Sequence, residues 1–257
     1  MTVGRAVSQV RAAAVYEFRM QVRRPAIWLL LGSIGATMLW LLHEATVQNL
    51  DLQSPVGQWA VLMQILCPVA FGVLLADRFA RDRRTQVADL LDTTPASDAL
   101  RLVGKYLGAT SATILPIVII YVLGIAWLAT QFDATTVLGQ GVTAFVLINL
   151  PGLLFVAAFS ICVPIVMPVP LYQFLFVGYW FWGNLVPPET MPTLSATWLA
   201  PIGYVPAQAF FQPFVDRGTT PDWGALDAVV SISLLLGLTV AALVVCLLVS
   251  RWQRLRA

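Results

Sequence analysis

Chemistry needs ionisable side chains at workable spacing, and this sequence offers few outside one stretch. Its single histidine, His43, is followed by Glu44. A zinc HExxH pair needs a second histidine one helical turn on, so these two residues instead mark the water end of an apolar run. Cys67, Cys162 and Cys246 lie far apart, each within an apolar run. No disulfide or metal spacing relates them, and they read as core or lipid-facing filler. There is no GxxxxGK[ST] loop to cradle nucleotide phosphates. The apolar runs contain no carboxylate pair, no Ser-His pair and no cluster of metal ligands. What remains is Asp77–Lys105, DRFARDRRTQVADLLDTTPASDALRLVGK. It holds six of the fifteen Lys and Arg residues and five of the thirteen Asp and Glu residues. A segment so mixed in charge is suited to recognising another protein surface.

The elements around it must place it in water. The chain is 59% hydrophobic and 11% charged, whereas soluble domains carry about 25% charged residues. Too little polar surface is left to face water on all sides, so the chain reads as an all-α integral membrane protein. Residues 1–25 carry Val7, Val10, Ala14, Phe18 and Val22 on one helical face, with Arg5, Arg19 and Arg23 on the flank and opposite side and Arg11 the exception. This predicts a basic amphipathic helix in the headgroup layer. Its basic region is too long for a signal peptide, and no small-residue cleavage site follows the first apolar run. Pro25 forces Arg24 into extended geometry and turns the chain into the bilayer.

Residues 26–257 then read as six transmembrane helices: 26–42, 56–76, 106–130, about 136–166, 169–186 and about 225–250. Gly32 and Ala36, with Ser33 and Thr37, form a small-residue face on the first, open either to packing within the subunit or to a second copy. The uncharged run 134–188 is too long for one helix in a ~30 Å core, and Met167-Pro168-Val169-Pro170 divides it. Pro151-Gly152 and Pro164 are expected to bend the fourth span. Residues 187–224 are proline-rich and too broken to span, yet too apolar to float free. They predict short helices dipping into the outer leaflet, with Trp180, Trp182, Trp198 and Trp223 in an outer aromatic belt. Asp227 sits where a carboxylate favours the start of the last helix.

With six spans and both termini cytoplasmic, fourteen of the fifteen basic residues fall inside and only Arg217 outside, which sets the orientation. The absence of charge within the spans argues against a membrane-embedded enzyme or a self-powered pump. If the chain transports against a gradient, the energy comes from another polypeptide.

The central stretch suggests how. Residues 77–91 read as a helix continuing from the second span, with Phe79, Val87, Leu90 and Leu91 apolar. Thr94-Pro95 stops it, and Ser97-Asp98 starts a helix that becomes the third span. The product is a helix–turn–helix knuckle; a merely solvated loop is the alternative. Asp82, Leu90-Leu91, Thr94-Pro95-Ala96-Ser97 and Gly104-Lys105, in that order, resemble the segment between spans two and three of the ABC-2 family of ATP-binding-cassette exporter permeases. The resemblance covers the whole chain in topology and is specific across about 77–108. It departs at Asp82, where the family usually has Glu followed closely by Gly-Thr; here Arg83-Arg84-Thr85 follows.

The resemblance implies a permease subunit of an exporter in the bacterial plasma (inner) membrane, not itself an enzyme. ATP and magnesium would be bound by a nucleotide-binding ATPase subunit docked at Asp82, Val87, Leu90, Leu91, Thr94 and Pro95. It also implies a second permease subunit, identical or not, paired through faces that include the first and fifth spans, and no nucleic acid. The path for an amphipathic substrate would be lined by Gln64, Tyr172, Gln173, Tyr179 and Asn184, for each of which helix–helix hydrogen bonding is the alternative role. A non-transporting scaffold with the same fold is the alternative function.

Overall fold

The computed structural model of the chain describes residues 3–47, 54–78, 98–186, 190–195, 197–213 and 222–256. All regular structure among them is helical: α1 (Val3–Val22), α2 (Pro25–Val47), α3 (Pro55–Leu75), α4 (Asp98–Gln131), α5 (Ala134–Ala144), α6 (Leu150–Cys162), α7 (Val169–Leu185), α8 (Tyr204–Phe211) and α9 (Ala225–Arg256). A π-helical turn, Phe145–Asn149, joins α5 to α6, and a 3-10 turn, Val163–Ile165, follows α6. Among the described residues, five stretches are long and apolar enough to cross a membrane: Pro25–Val47, Pro55–Leu75, Ala99–Gln131, Ala134–Ile165 and Ala225–Gln253. α7 has 17 residues, a rise of about 26 Å at 1.5 Å per residue.

The helices pack around α3, whose Trp59, Phe71 and Leu75 are fully buried. α2 and α4 run the same way, since Gly35 abuts Ile120 and Thr46 accepts the Trp127 indole N–H at 3.1 Å. α3 and α7 run oppositely: Trp180 donates to the Ile65 carbonyl and Gln173 to that of Val73. One end of the bundle therefore gathers Arg24, Asp77, Arg78, Lys105, Ile165 and Gln253. The other gathers Thr46, the Gly57 end of α3 and the segment 190–213.

The irregular turns fall where the prolines predict them. Pro151 has no N–H to give, and the π turn directly precedes it; Pro164 lies within the 3-10 turn. Asp227 accepts the backbone N–H of Gly224 at the start of α9, as the sequence predicts, and also the Trp198 indole.

Several expectations are corrected. Trp180 does not join an outer belt: it is fully buried, because its face of α7 packs on α3. The face with Gly32 and Ala36, open to two roles in the sequence, is exposed rather than packed within the chain. A Cβ on Gly32 meets nothing within 4 Å, whereas one on Gly35 would lie 2.3 Å from Ile120. The buried face of α1 overlaps its apolar stripe only in part, at Val10 and Ala14 against Gly104 and Gly108. Val7 is 61% exposed, while Glu17 and Gln21 are buried. Finally, α2 continues to Val47, so His43 lies within it, with its ring edge-on to Trp127 at 5.0 Å.

Candidate functional site

α1 reaches its neighbour through two glycines. A Cβ on Gly104 would stand 2.6 Å from that of Ala13, and one on Gly108 would stand 2.3 Å from the Ala14 carbonyl oxygen. Only hydrogen at those Cα atoms lets the two backbones come so close. α1 and the first turns of α4 run in the same direction, Val10 beside Gly104 and Gln21 beside Thr113. This approach carries Glu17 to Lys105, with Oε1 3.7 Å from Nζ. Arg78, just beyond the end of α3, enters the same place. Its Nη1 donates to Gln21 Oε1 at 2.6 Å and its Nη2 pairs with Glu17 Oε2. Gln21 in turn donates to Thr113 Oγ1 at 3.3 Å. Arg24 pairs with Asp77 at 3.3 Å on the more exposed rim.

Arg78 and Lys105 are the stems of the segment predicted to dock a partner, and one buried carboxylate holds both. Arg78 is 1% exposed, Lys105 7% and Glu17 8%. Two buried cations opposite one buried anion are kept in place because losing the anion would leave uncompensated charge out of water. The predicted docking residues Asp82, Val87, Leu90, Leu91, Thr94 and Pro95 lie outside the described residues. Gly104-Lys105 does lie within them, and its role is the contact with α1.

The predicted path residues separate into two groups. Gln64 Nε2 donates to the Pro201 carbonyl at 3.0 Å, and Gln64 Oε1 accepts from Asn149 Nδ2 at 3.1 Å. Asn149 also donates to the Ala60 carbonyl at 2.9 Å. Gly152 admits this node, because a Cβ there would lie 2.1 Å from the Pro201 oxygen. Gly203, at φ 70°, turns the chain where a side chain would strike the Ile148 carbonyl. The node thus binds the segment 190–213 into the bundle through uncharged groups. Gln173 donates to Val73 O of α3, and Asn184 to Trp180 O of its own helix. Gln64 and Gln173 therefore take the helix–helix role left open in the sequence, whereas the bond from Asn184 stays within α7. The structure brings together Tyr172 and Tyr179 instead. Both line an apolar groove of ≈ 290 Å³ between α6 and α7, with Phe159, Met167, Phe176 and Trp180. Tyr172 also shares a 2.8 Å hydrogen bond with Ser160.

Sequence reasoning passes over Glu17 and Asn149. The signal for Glu17 is its isolation, as the sole acidic residue before Glu44 in a basic helix. The signal for Asn149 is a lone amide in the apolar run FVLINLPG. No protein-family model matches the chain, and a search of curated proteins finds no match.

Proposed function

We propose that the chain is the membrane-spanning subunit of an ATP-driven exporter of the ABC-2 type. In this reading α7 is the fifth of six spans, both termini face the cytoplasm, and the protein sits in a bacterial inner membrane. A separate ATPase subunit, which binds the ATP and magnesium, docks on the knuckle between α3 and α4. A second permease subunit covers the unpartnered faces of α2 and α7. The observation that carries the reading is the grip of Glu17 on Arg78 and Lys105. A push delivered to the segment between these stems passes into α1, α3 and α4 as one body, and so into the spans. The apolar, aromatic groove between α6 and α7 supports an uncharged or amphipathic substrate.

A scaffold that has kept this fold without transporting is the second reading. It is favoured by Gln64 and Gln173, whose side chains tie α3 to the segments packed against it. Purification of the tagged chain from its host in mild detergent, with mass spectrometry of what accompanies it, separates the two. A stoichiometric ATPase supports the exporter, and a stable complex without one supports the scaffold. Under the exporter reading, Leu90→Ser with Leu91→Ser abolishes ATPase capture while membrane insertion is unchanged. Full capture by that variant removes the coupling role from the knuckle.

A further inference from the structure

Cys162 ends α6 and Cys246 lies on α9, and the fold brings both side chains to the same groove between these helices. Both are buried, 9% and 3% exposed, in a small cluster with Leu102 and Ile165. Cys67 is buried elsewhere, on α3 in the main core. Their groove is apolar, ≈ 300 Å³ in volume, and is also lined by Phe159, Ile165, Leu238 and Val249. The groove lies at the basic end of the bundle, where Gln253 reaches the Ile165 carbonyl at 3.5 Å. Arg251 follows Cys246 by little more than one helical turn, about 7.5 Å of rise. The pair therefore sits at the edge of the apolar layer, within reach of small uncharged solutes.

We propose that Cys162 and Cys246 form a redox-sensitive dithiol, oxidised by a hydroperoxide to a disulfide that staples α6 to α9. One thiolate attacks the peroxide, the O–O bond breaks, and a sulfenic acid and one water form. The second thiol attacks the sulfenic sulfur, the S–S bond forms, and a second water leaves. Two thiols lose two electrons and two protons in all, and one hydrogen peroxide becomes two waters. Hydrogen peroxide is small and uncharged, so an apolar groove does not exclude it. A neutral disulfide also suits that groove, since it buries no charge. A reducing thiol pool reverses the step, as on the cytoplasmic side of a cell membrane. The staple fixes the far end of α6 and holds the groove at its closed width, whether or not the chain is an exporter.

The test uses the full chain in lipid nanodiscs, treated with hydrogen peroxide, unfolded in the presence of N-ethylmaleimide and weighed intact. The expected oxidised protein loses two hydrogens and takes up one maleimide, on Cys67, in place of three on the reduced chain, and dithiothreitol restores all three. Peptide mapping of the same wild-type sample shows a 162–246 link, and Cys246→Ser prevents it. Hydrogen exchange at residues 163–168 slows on oxidation and recovers on reduction. Three adducts after peroxide, a sulfinic acid in place of the link, a link that includes Cys67, or unchanged exchange overturns the proposal.

Discussion

Two buried polar sites hold this bundle together, and they are built from opposite materials. At the basic end, the acidic side chain of Glu17 pairs with the basic ones of Arg78 and Lys105, and Gln21 accepts from Arg78. Within the membrane-spanning layer, Gln64 and Asn149 are neutral amides that bond to each other and to the carbonyls of Pro201 and Ala60. The division follows the cost of desolvation. A charge in hydrocarbon is expensive enough that ionic groups are kept at the ends of spans, whereas an amide needs only its hydrogen bonds satisfied. The ionic site joins the stems of the polar segment, and the neutral site secures the segment 190–213. Breaking the first strands charge; breaking the second strands a dipole.

The largest effect is expected from Glu17→Ala, which leaves Arg78 and Lys105 buried without a carboxylate and costs roughly 3–5 kcal/mol. Denaturation of the purified chain in detergent measures it, and Glu17→Leu with Arg78→Met recovers part of the loss. A cost near that of an exposed ion pair, below about 1 kcal/mol, would erase the contrast between the sites. Gln64→Leu and Asn149→Leu follow, at roughly 1–3 kcal/mol each, since each leaves a buried dipole unpaired. The two should fail to add, and strict additivity would mean that they are not one node.

Next come the close contacts. Gly108→Ala and Gly152→Ala drive a methyl group against backbone carbonyls and cost roughly 1–3 kcal/mol. Gly32→Ala meets nothing and gains up to about 1 kcal/mol of helix propensity. An equal response at all three would deny the tight approach that builds each site.

The smallest effect lies outside both. Asp133 caps α5, and hydrogen bonds from the Thr136 side chain and backbone, then from Thr135, hold its carboxyl down to about 2 from its ordinary 3.8. Its folded value is depressed, so its contribution is present above the ordinary value and is lost as pH falls through about 2. An acid titration should show Asp133→Asn less stable than the wild type at neutral pH, with the difference closing as pH falls through about 2.

Much of this was readable one residue at a time. Hydropathy placed five of the six expected spans on the long apolar stretches, with the first ending five residues late and the third starting seven early, and the prolines of the 134–188 run marked its irregular turns. Composition alone set the polar segment apart. The first helix shows the limit. Its apolar stripe was plain in the sequence, yet the buried face shares only Val10 and Ala14 with it and is completed by Glu17 and Gln21. Nothing in an amphipathic pattern says that two glycines on a helix far along the chain will admit a backbone.

Hydropathy is a sum along the chain, so length, spans and the bias of basic residues to one end follow from the order of residues. The partner of a buried polar group depends on how helices are rotated and how closely they approach. Those are set jointly by residues distant in sequence, such as Gly104 and Gly108 against Ala13 and Ala14. For that reason only the folded chain could decide that Glu17 serves both stems. It also decided that Trp180 turns inward onto α3 and that Cys162 and Cys246 share one buried cluster.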